Sequence, residues 1–358
     1  IAGRNADKLR ELKDELKLEC DIFVANSDDY EAIKKFVSQT KVVLSAAGPF
    51  ARYSTKVVEA CVECQTHYTD ITGENHWVRG LIDRFHEKAS LDGTRIVPSC
   101  GYDSIPSDLG VYFSVTRSKQ PVSHVTVYQS AKGGASGGTT ETMFTMGPLP
   151  KEMRDPFLLN PKDSVSDAQK NKSTDDFSVK PIPGTDAFSG MGLMAFANTR
   201  VVRRSAALFD LNQKSYGPDF TFKELGSYPS KAAARITSFV LMSAFLIIAT
   251  PLRYLVRPFL PKPGDGPDKE ARDNGWFRGL FVANLEDGTE KRFEIFGSGD
   301  PGYKSTSKMV CESALTLAFS EDLPFGSEFG GVLTSAVGLG DPLISRLMKA
   351  GITFEELS

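Results

Sequence analysis

Cysteine is scarce in this 358-residue chain: five residues, an odd number and too few to staple a disulfide scaffold. A reducing compartment, or a face turned toward one, is the simpler setting. Charge of one sign is missing too. Lys and Arg total 42 against 45 Asp and Glu, a net charge of −3, so no overall basic field would hold nucleic acid. No H-E-x-x-H, G-x-S-x-G or zinc-ligand spacing occurs, no internal repeat stands out, and no signal peptide is visible. Hydrophobic residues make up 41% and charged residues 24%, the balance of an ordinary globular protein. That excludes disorder, collagen-like sequence and a polytopic membrane protein. The length leaves room for two or three domains of about 150 residues.

What is there begins with an alternation of periods over residues 1–110. Leu9, Leu12 and Leu16 recur at helical spacing in 6–18, and Tyr30, Ile33, Phe36 and Val37 do so in 28–39. Residues 54–64 and 76–90 read as two more helices. Short apolar runs at 20–25, 41–47, 67–72 and 95–99 read as strands between them. Such repetition predicts a parallel sheet covered on both faces, with ligands beyond the carboxyl ends of its strands. The opening Ile1-Ala2-Gly3-Arg4-Asn5 reads as the end of a strand. The expectation is a Rossmann-type α/β domain whose first strand and glycine-rich, pyrophosphate-cradling turn lie upstream, so that this chain alone binds a nucleotide poorly.

Beyond residue 110 the pattern changes. Strands are expected at 122–128 and 293–296, helices at 308–323 and 345–351, and an exposed loop at 156–187, all within an α+β second domain with an antiparallel sheet over 111–358. Residues 236–249 carry no charge, with Lys231, Arg235, Arg253 and Arg257 at the two ends. The run is shorter than the roughly twenty residues of a spanning helix. It reads as a buried core helix, a segment inserted in one leaflet, or a span. Apolar residues all round the helix and cations at both ends favour a membrane surface for 236–260.

Arg4 is the first candidate for chemistry. In a dinucleotide fold a carboxylate at the end of the second strand bonds the ribose of NAD, whereas an arginine there accommodates the 2′-phosphate of NADP. Gly3 lets the backbone come close and Asn5 adds a donor; the bland alternative is a solvated arginine in a turn. Ala47, Gly48, Pro49 and Phe50 follow a buried strand and would shape the dinucleotide groove, or form a tight surface turn. Asp70 and Glu74 border the next strand end as proton carriers or as helix caps. Gly101, Tyr102 and Asp103 follow the last parallel strand near the nicotinamide end. Tyr102 and Asp103 would handle protons, or Asp103 would cap the helix after Pro106. Cys61-Val62-Glu63-Cys64 lies within a helix, lacks a second ligand pair and reads as packing. No metal site is expected. The glycine-rich stretch 132–140, before a helix at 139–146, is no P-loop, since its lysine precedes the glycines.

The string Gly101-Tyr102-Asp103-Ser104-Ile105-Pro106-Ser107-Asp108-Leu109-Gly110 resembles the saccharopine dehydrogenase-like oxidoreductase family, which also holds the trans-acting enoyl reductases. Ala2-Gly3-Arg4, Gly48-Pro49-Phe50, Asp70-Ile71-Thr72-Gly73-Glu74 and Gly330-Gly331-Val332-Leu333-Thr334 occur in the family's order. The resemblance implies a Rossmann domain followed by a saccharopine-reductase-like α+β domain, with NADP as cofactor in preference to NAD. It also implies a lipid-related enoyl or carbonyl substrate, a homodimer as one assembly, and a lipid-droplet or mitochondrial membrane location, facing the cytosol. Two alternatives stand beside it. One is a non-enzymatic membrane protein on an inherited reductase fold. The other is true saccharopine turnover in lysine metabolism, whose multi-carboxylate substrate calls for fixed arginines, with Arg200, Arg203 and Arg204 as candidates.

Overall fold

The computed structural model describes residues 1–133, 154–259 and 266–358. The glycine-rich stretch from Gly134 onward and the helix expected at 139–146 lie outside the described residues. The N-terminal part runs β1 (Ala2–Gly3), α1 (Ala6–Glu15), β2 (Phe23–Val24), α2 (Tyr30–Val37), β3 (Val42–Ser45), α3 (Phe50–Tyr53), α4 (Thr55–Glu63), β4 (His67–Asp70), α5 (Asn75–Leu91) and β5 (Arg95–Val97). All its pairings are parallel. β1 pairs with β2, and β3, β4 and β5 form a second group. Helix entry follows local chemistry: Asn5 and Asp29 cap α1 and α2 by accepting backbone N–H groups of the first turn.

Helix α6 (Ile105–Ser118) then crosses to the second layer. Pro106 in its first turn is compatible with a helix start, and the helix is buried along most of its length. Gly110 shows why: a Cβ there would stand 2.1 Å from the Phe281 ring, so only glycine lets α6 lie on the sheet beneath it.

That sheet has six strands in the order β12-β10-β9-β6-β8-β7, namely β6 (Val122–Lys132), β7 (Phe188–Gly190), β8 (Thr221–Tyr228), β9 (Trp276–Leu285), β10 (Glu290–Ser298) and β12 (Ile352–Leu357). It is mixed, not purely antiparallel, because β6 and β8 run parallel. The connection between them carries α7 (Asp167–Lys172) and α8 (Ala195–Leu211), the long route that a parallel pair needs. The remaining helices are α9 (Lys231–Ile248), α10 (Arg253–Val256), α11 (Lys269–Asp273), α12 (Thr306–Phe319), α13 (Ser335–Gly338) and α14 (Gly340–Lys349).

Several expectations are corrected. The chain does not end on a helix: β12 follows α14 and pairs antiparallel with β10. The C-terminal segment does not stay in the second domain either. β11 (Gly331–Val332) adds to the first domain's sheet beside β5. Arg95 secures that return, donating to the carbonyls of Gly338 (2.6 Å), Pro324 (2.9 Å) and Gly326 (2.5 Å). Arg204, fully buried, donates to Leu159 O and Val332 O, both at 2.6 Å. Stretch 156–187 is therefore not simply an exposed loop, for Leu159 and Ile182 are buried and its carbonyls satisfy the arginines of α8. The core-helix reading of the apolar segment also fails. Only 6% of α9 is buried, and Ile236 (65%), Phe239 (74%) and Leu246 (61%) face outward.

The seam between the layers centres on Asp108. Its carboxyl accepts from Ser205 of α8, and from Ser335 Oγ and Ala336 N of α13, the last two at 2.8 Å. Burial outweighs these bonds and pushes the carboxyl up to about 6. Asp108→Asn places an N–H where a donor already points, and leaving a buried donor unmet costs about 1–3 kcal/mol. The variant is expected to unfold several degrees lower by calorimetry with unchanged nucleotide affinity; an unchanged midpoint would contradict the role given to Asp108.

Candidate active site

The loops after β3, β4 and β5 are bonded to one another. Glu74 begins α5, yet its carboxylate does not cap that helix. It accepts from Phe50 N (2.7 Å) and Ala51 N (3.1 Å), fixing the turn after β3 to the loop after β4. Asp70 ties β4 to β5: its carboxyl accepts from Tyr68 Oη (2.9 Å), Thr72 N (3.0 Å) and Ser99 N (2.9 Å). Ser99 sits at a left-handed φ of 63°, costly for a serine, and its N–H is held there by Asp70. Burial pushes the Asp70 carboxyl up to about 7. With no exposed surface and both oxygens engaged, Asp70 braces the loops and does not present a catalytic oxygen.

Two further sequence candidates lie beneath the groove. Phe50 is buried with its ring 5.9 Å from that of Trp77. Gly101 is buried, and a Cβ there would stand 3.2 Å from the Thr306 methyl group. Both are packing positions, because the strand ends they follow are roofed by side chains from α5 and α12. Ala47 and Gly48 are exposed and Pro49 is half-buried, leaving an open shelf after β3.

Arg4 is exposed at the end of β1, and among the described residues it has no ion-pair partner. Neighbouring Arg10 is already paired with Asp7 at 2.6 Å. Asn5 spends its side-chain oxygen on the α1 cap, accepting from Asp7 N and Lys8 N at 3.1 Å, so only its amide nitrogen is left to donate. An uncommitted guanidinium at a parallel strand's carboxyl end suits a 2′-phosphate.

Tyr102 and Asp103 stand at the seam with the second layer. The Tyr102 backbone N–H donates to Thr306 Oγ1 (3.0 Å) and its ring leans on Phe277 at 5.2 Å. Asp103 is half-buried and makes no side-chain hydrogen bond among the described residues; a Cβ on Gly73 would stand 3.6 Å from its Oδ2. It does not cap α6, whose N-cap is Ser104. Loss of water pushes the Asp103 carboxyl up to about 6 and raises the Tyr102 phenol well above its ordinary value. An open carboxyl poised near neutrality can give and recover a proton.

Behind this pair lies a cluster that sequence reasoning missed. Glu224 of β8 is 5% exposed and accepts from Ser107 Oγ (2.7 Å) and Asn198 Nδ2 (2.8 Å). Met194 completes the wall opposite Gly73. The three arginines proposed for a carboxylate substrate prove to be structural. Arg200 donates to Asp175 (3.2 Å), and Arg203 and Arg204 donate to main-chain carbonyls. Among the described residues no three His, Cys, Asp or Glu gather as a metal site.

The geometry is that of a nucleotide-dependent oxidoreductase, and the comparisons agree. The family model for the saccharopine dehydrogenase NADP binding domain matches residues 1–97. A putative trans-acting enoyl reductase of Mycobacterium tuberculosis is 33% identical over 99% of this chain and 90% of its own length. A trans-acting enoyl reductase of Mycobacterium ulcerans is 32% identical over 98% and 89%. The fold is that of the apo L-Glu-forming saccharopine dehydrogenase of Saccharomyces cerevisiae, with a TM-score of 0.53 at 12% identity over 100% of this chain and 93% of that one. The chain belongs to the saccharopine dehydrogenase-like oxidoreductase family, and its cofactor is NADP.

Arg4→Ala removes one charge-assisted contact, and 1.4 kcal/mol is a factor of ten. It is expected to weaken NADPH about tenfold and leave NADH unchanged in fluorescence titrations. Equal loss for both nucleotides would remove the role assigned to Arg4.

Proposed function

We propose that the protein is an NADPH-dependent reductase of an apolar enoyl or carbonyl compound taken from a lipid surface. The observation that carries the reading is the pairing of an uncommitted Asp103 at the domain seam with arginines that are all committed elsewhere. A substrate with several carboxylates needs free guanidinium forks. Arg200, Arg203 and Arg204 have none to offer, which weighs against saccharopine. The trans-acting enoyl reductases, about a third identical along nearly the whole chain, support an activated double bond as the target.

When bound, NADPH supplies the hydride. Arg4 binds its 2′-phosphate, and Ala47 and Gly48 give the nucleotide an open floor. Asp103 holds the proton that the reduced substrate takes up. Tyr102 and Met194 exclude water from its apolar body.

The lipid surface is the second half of the proposal. Helix α9 is 18 residues long, about 27 Å at 1.5 Å per residue, and apolar enough by length and composition to cross a membrane. One side is engaged with the protein: Ser238 Oγ accepts from Met191 N (2.9 Å), and the Phe245 ring meets Phe196 at 5.8 Å. A helix held along one side by a folded domain lies on a bilayer more readily than it crosses one. Leu252 and Leu255 of the next turns extend the exposed apolar surface, and exposed Lys231 and Arg235 suit head groups.

Purified protein is expected to oxidise NADPH with a long-chain trans-2-enoyl thioester and not with saccharopine, and Asp103→Asn is expected to lower kcat at least a hundredfold. Turnover of saccharopine in place of the thioester would reverse the assignment. In flotation with phosphatidylcholine vesicles containing anionic lipid, the wild type should rise with the vesicles, whereas Phe239→Glu/Leu246→Glu should stay below. Equal flotation of both would show that α9 is not the contact. Persistent flotation of a protein that fails to bind NADPH would favour a non-enzymatic lipid-surface role.

A further inference from the structure

Glu224 is a carboxyl in an unusual position. It lies on β8 within the second layer, 5% exposed, and no Lys, Arg or His among the described residues pairs with it. Its partners are a hydroxyl and an amide, both neutral. An ionised carboxylate is costly in such surroundings unless a charge or several hydrogen bonds repay the lost water. The same two partners tie Glu224 to the loop that carries Asp103. Asn198 Nδ2 reaches Glu224 Oε1 (2.8 Å) and Ser107 Oγ (3.3 Å), while its Oδ1 accepts from Ser104 Oγ (3.4 Å). Ser104 and Ser107 flank the start of the helix that directly follows Asp103. The titratable groups acting on Glu224 and on its neighbours are Asp103 and Tyr102 of that loop.

Counting donors and acceptors exposes the rest. Ser107 has one hydrogen and gives it to Glu224 Oε2 at 2.7 Å; its oxygen accepts from Asn198 and from Gln129 Nε2 (3.1 Å). This arrangement suits an ionised Glu224. It leaves Gln129 Oε1 buried without a partner. With a proton on Glu224 the direction reverses. The carboxyl donates to Ser107 Oγ, the Ser107 hydrogen needs a new acceptor, and Gln129 Oε1 becomes that acceptor when its amide turns over. One small rotation serves both charge states, and the backbone stays fixed.

We propose that Glu224 is a positioning residue for the reduction, sharing one proton with Asp103, with Ser107 and Gln129 as the hydrogen-bond switch that lets it do so. The proposal rests on the reductase reading. In the reducing step the Asp103 O–H bond breaks as its proton joins the substrate, which has accepted the hydride. A Glu224 that is neutral at that moment keeps Asp103 a ready acid, because no second negative charge resists the carboxylate that forms. An ionised Glu224 holds the proton on Asp103 instead. Solvent then restores the proton through half-buried Asp103. Burial pushes Glu224 up to about 7 and Asp103 up to about 6, so both change state near neutrality.

The test uses the full chain and two readouts. In infrared difference spectra of wild type minus Glu224→Gln, a protonated-carboxyl band should titrate near neutral pH. Ser107→Ala, which strips a donor from the ionised form, should carry that band to higher pH. With NADPH and the trans-2-enoyl thioester, Glu224→Gln should move the alkaline limb of kcat to lower pH by about half a unit or more, since it mimics neutral Glu224. NADPH affinity should be unchanged. A merely structural Glu224 would lower kcat at every pH and leave the limb in place. That result, or a difference spectrum without a band titrating near neutrality, overturns the proposal. If wild type fails to reduce the thioester, the reductase reading fails by itself, and the band titration still decides whether Glu224 holds a proton.

Discussion

The buried carboxyl of Asp108 is the point on which the two layers depend. It accepts hydrogen bonds from α8 and α13, about a hundred and more than two hundred residues further along the chain. Nothing charged offsets it there, so its donors must be correctly placed or the site costs more than it contributes. That requirement fixes α6, and α6 carries Asp103 and Ser107 at or just before its first turn. The catalytic seam is thus set by the same residues that hold the fold together.

A second theme is cations answered by carbonyl oxygens. Arg95, Arg203 and Arg204 are buried and spread their donors over backbone carbonyls of segments that have little regular structure of their own. A guanidinium can satisfy several acceptors in one plane, which suits the irregular stretches 156–173 and 324–338. The arrangement explains why these arginines are unavailable to a substrate.

Much of the first domain was legible. Helical and strand periods in residues 1–99 gave the order of elements, because each apolar stripe is local and faces one sheet. Burial was less legible: α1 shows the leucine period, yet Leu12 and Leu16 are exposed and the helix buries no residue. The long-range features escaped. Gly331–Val332 is a two-residue strand, too short to announce that it joins β5. Glu224 stands beside Lys223 in a strand and reads as surface, although six of that strand's eight residues are buried. One signal was present and unused: residues 200, 203 and 204 have the spacing of a single helix face, which pointed to an arginine-bearing inner surface on α8. In the site, the open positions Arg4, Ala47, Gly48, Tyr102 and Asp103 were found from strand-end logic. Phe50, Gly101 and Asp70 were misassigned because sequence cannot tell the rim of a groove from its foundation.

The account's central claim is that hydride and proton reach one substrate at the seam, the hydride from NADPH and the proton by way of Asp103. Isotope transfer tests it most directly. Product formed from the enoyl thioester with 4-deuterated NADPH in ordinary water should carry one deuterium at one carbon of the former double bond. Product formed with ordinary NADPH in heavy water should carry it at the adjacent carbon. Deuterium from neither source, or the same carbon labelled in both experiments, would contradict the account.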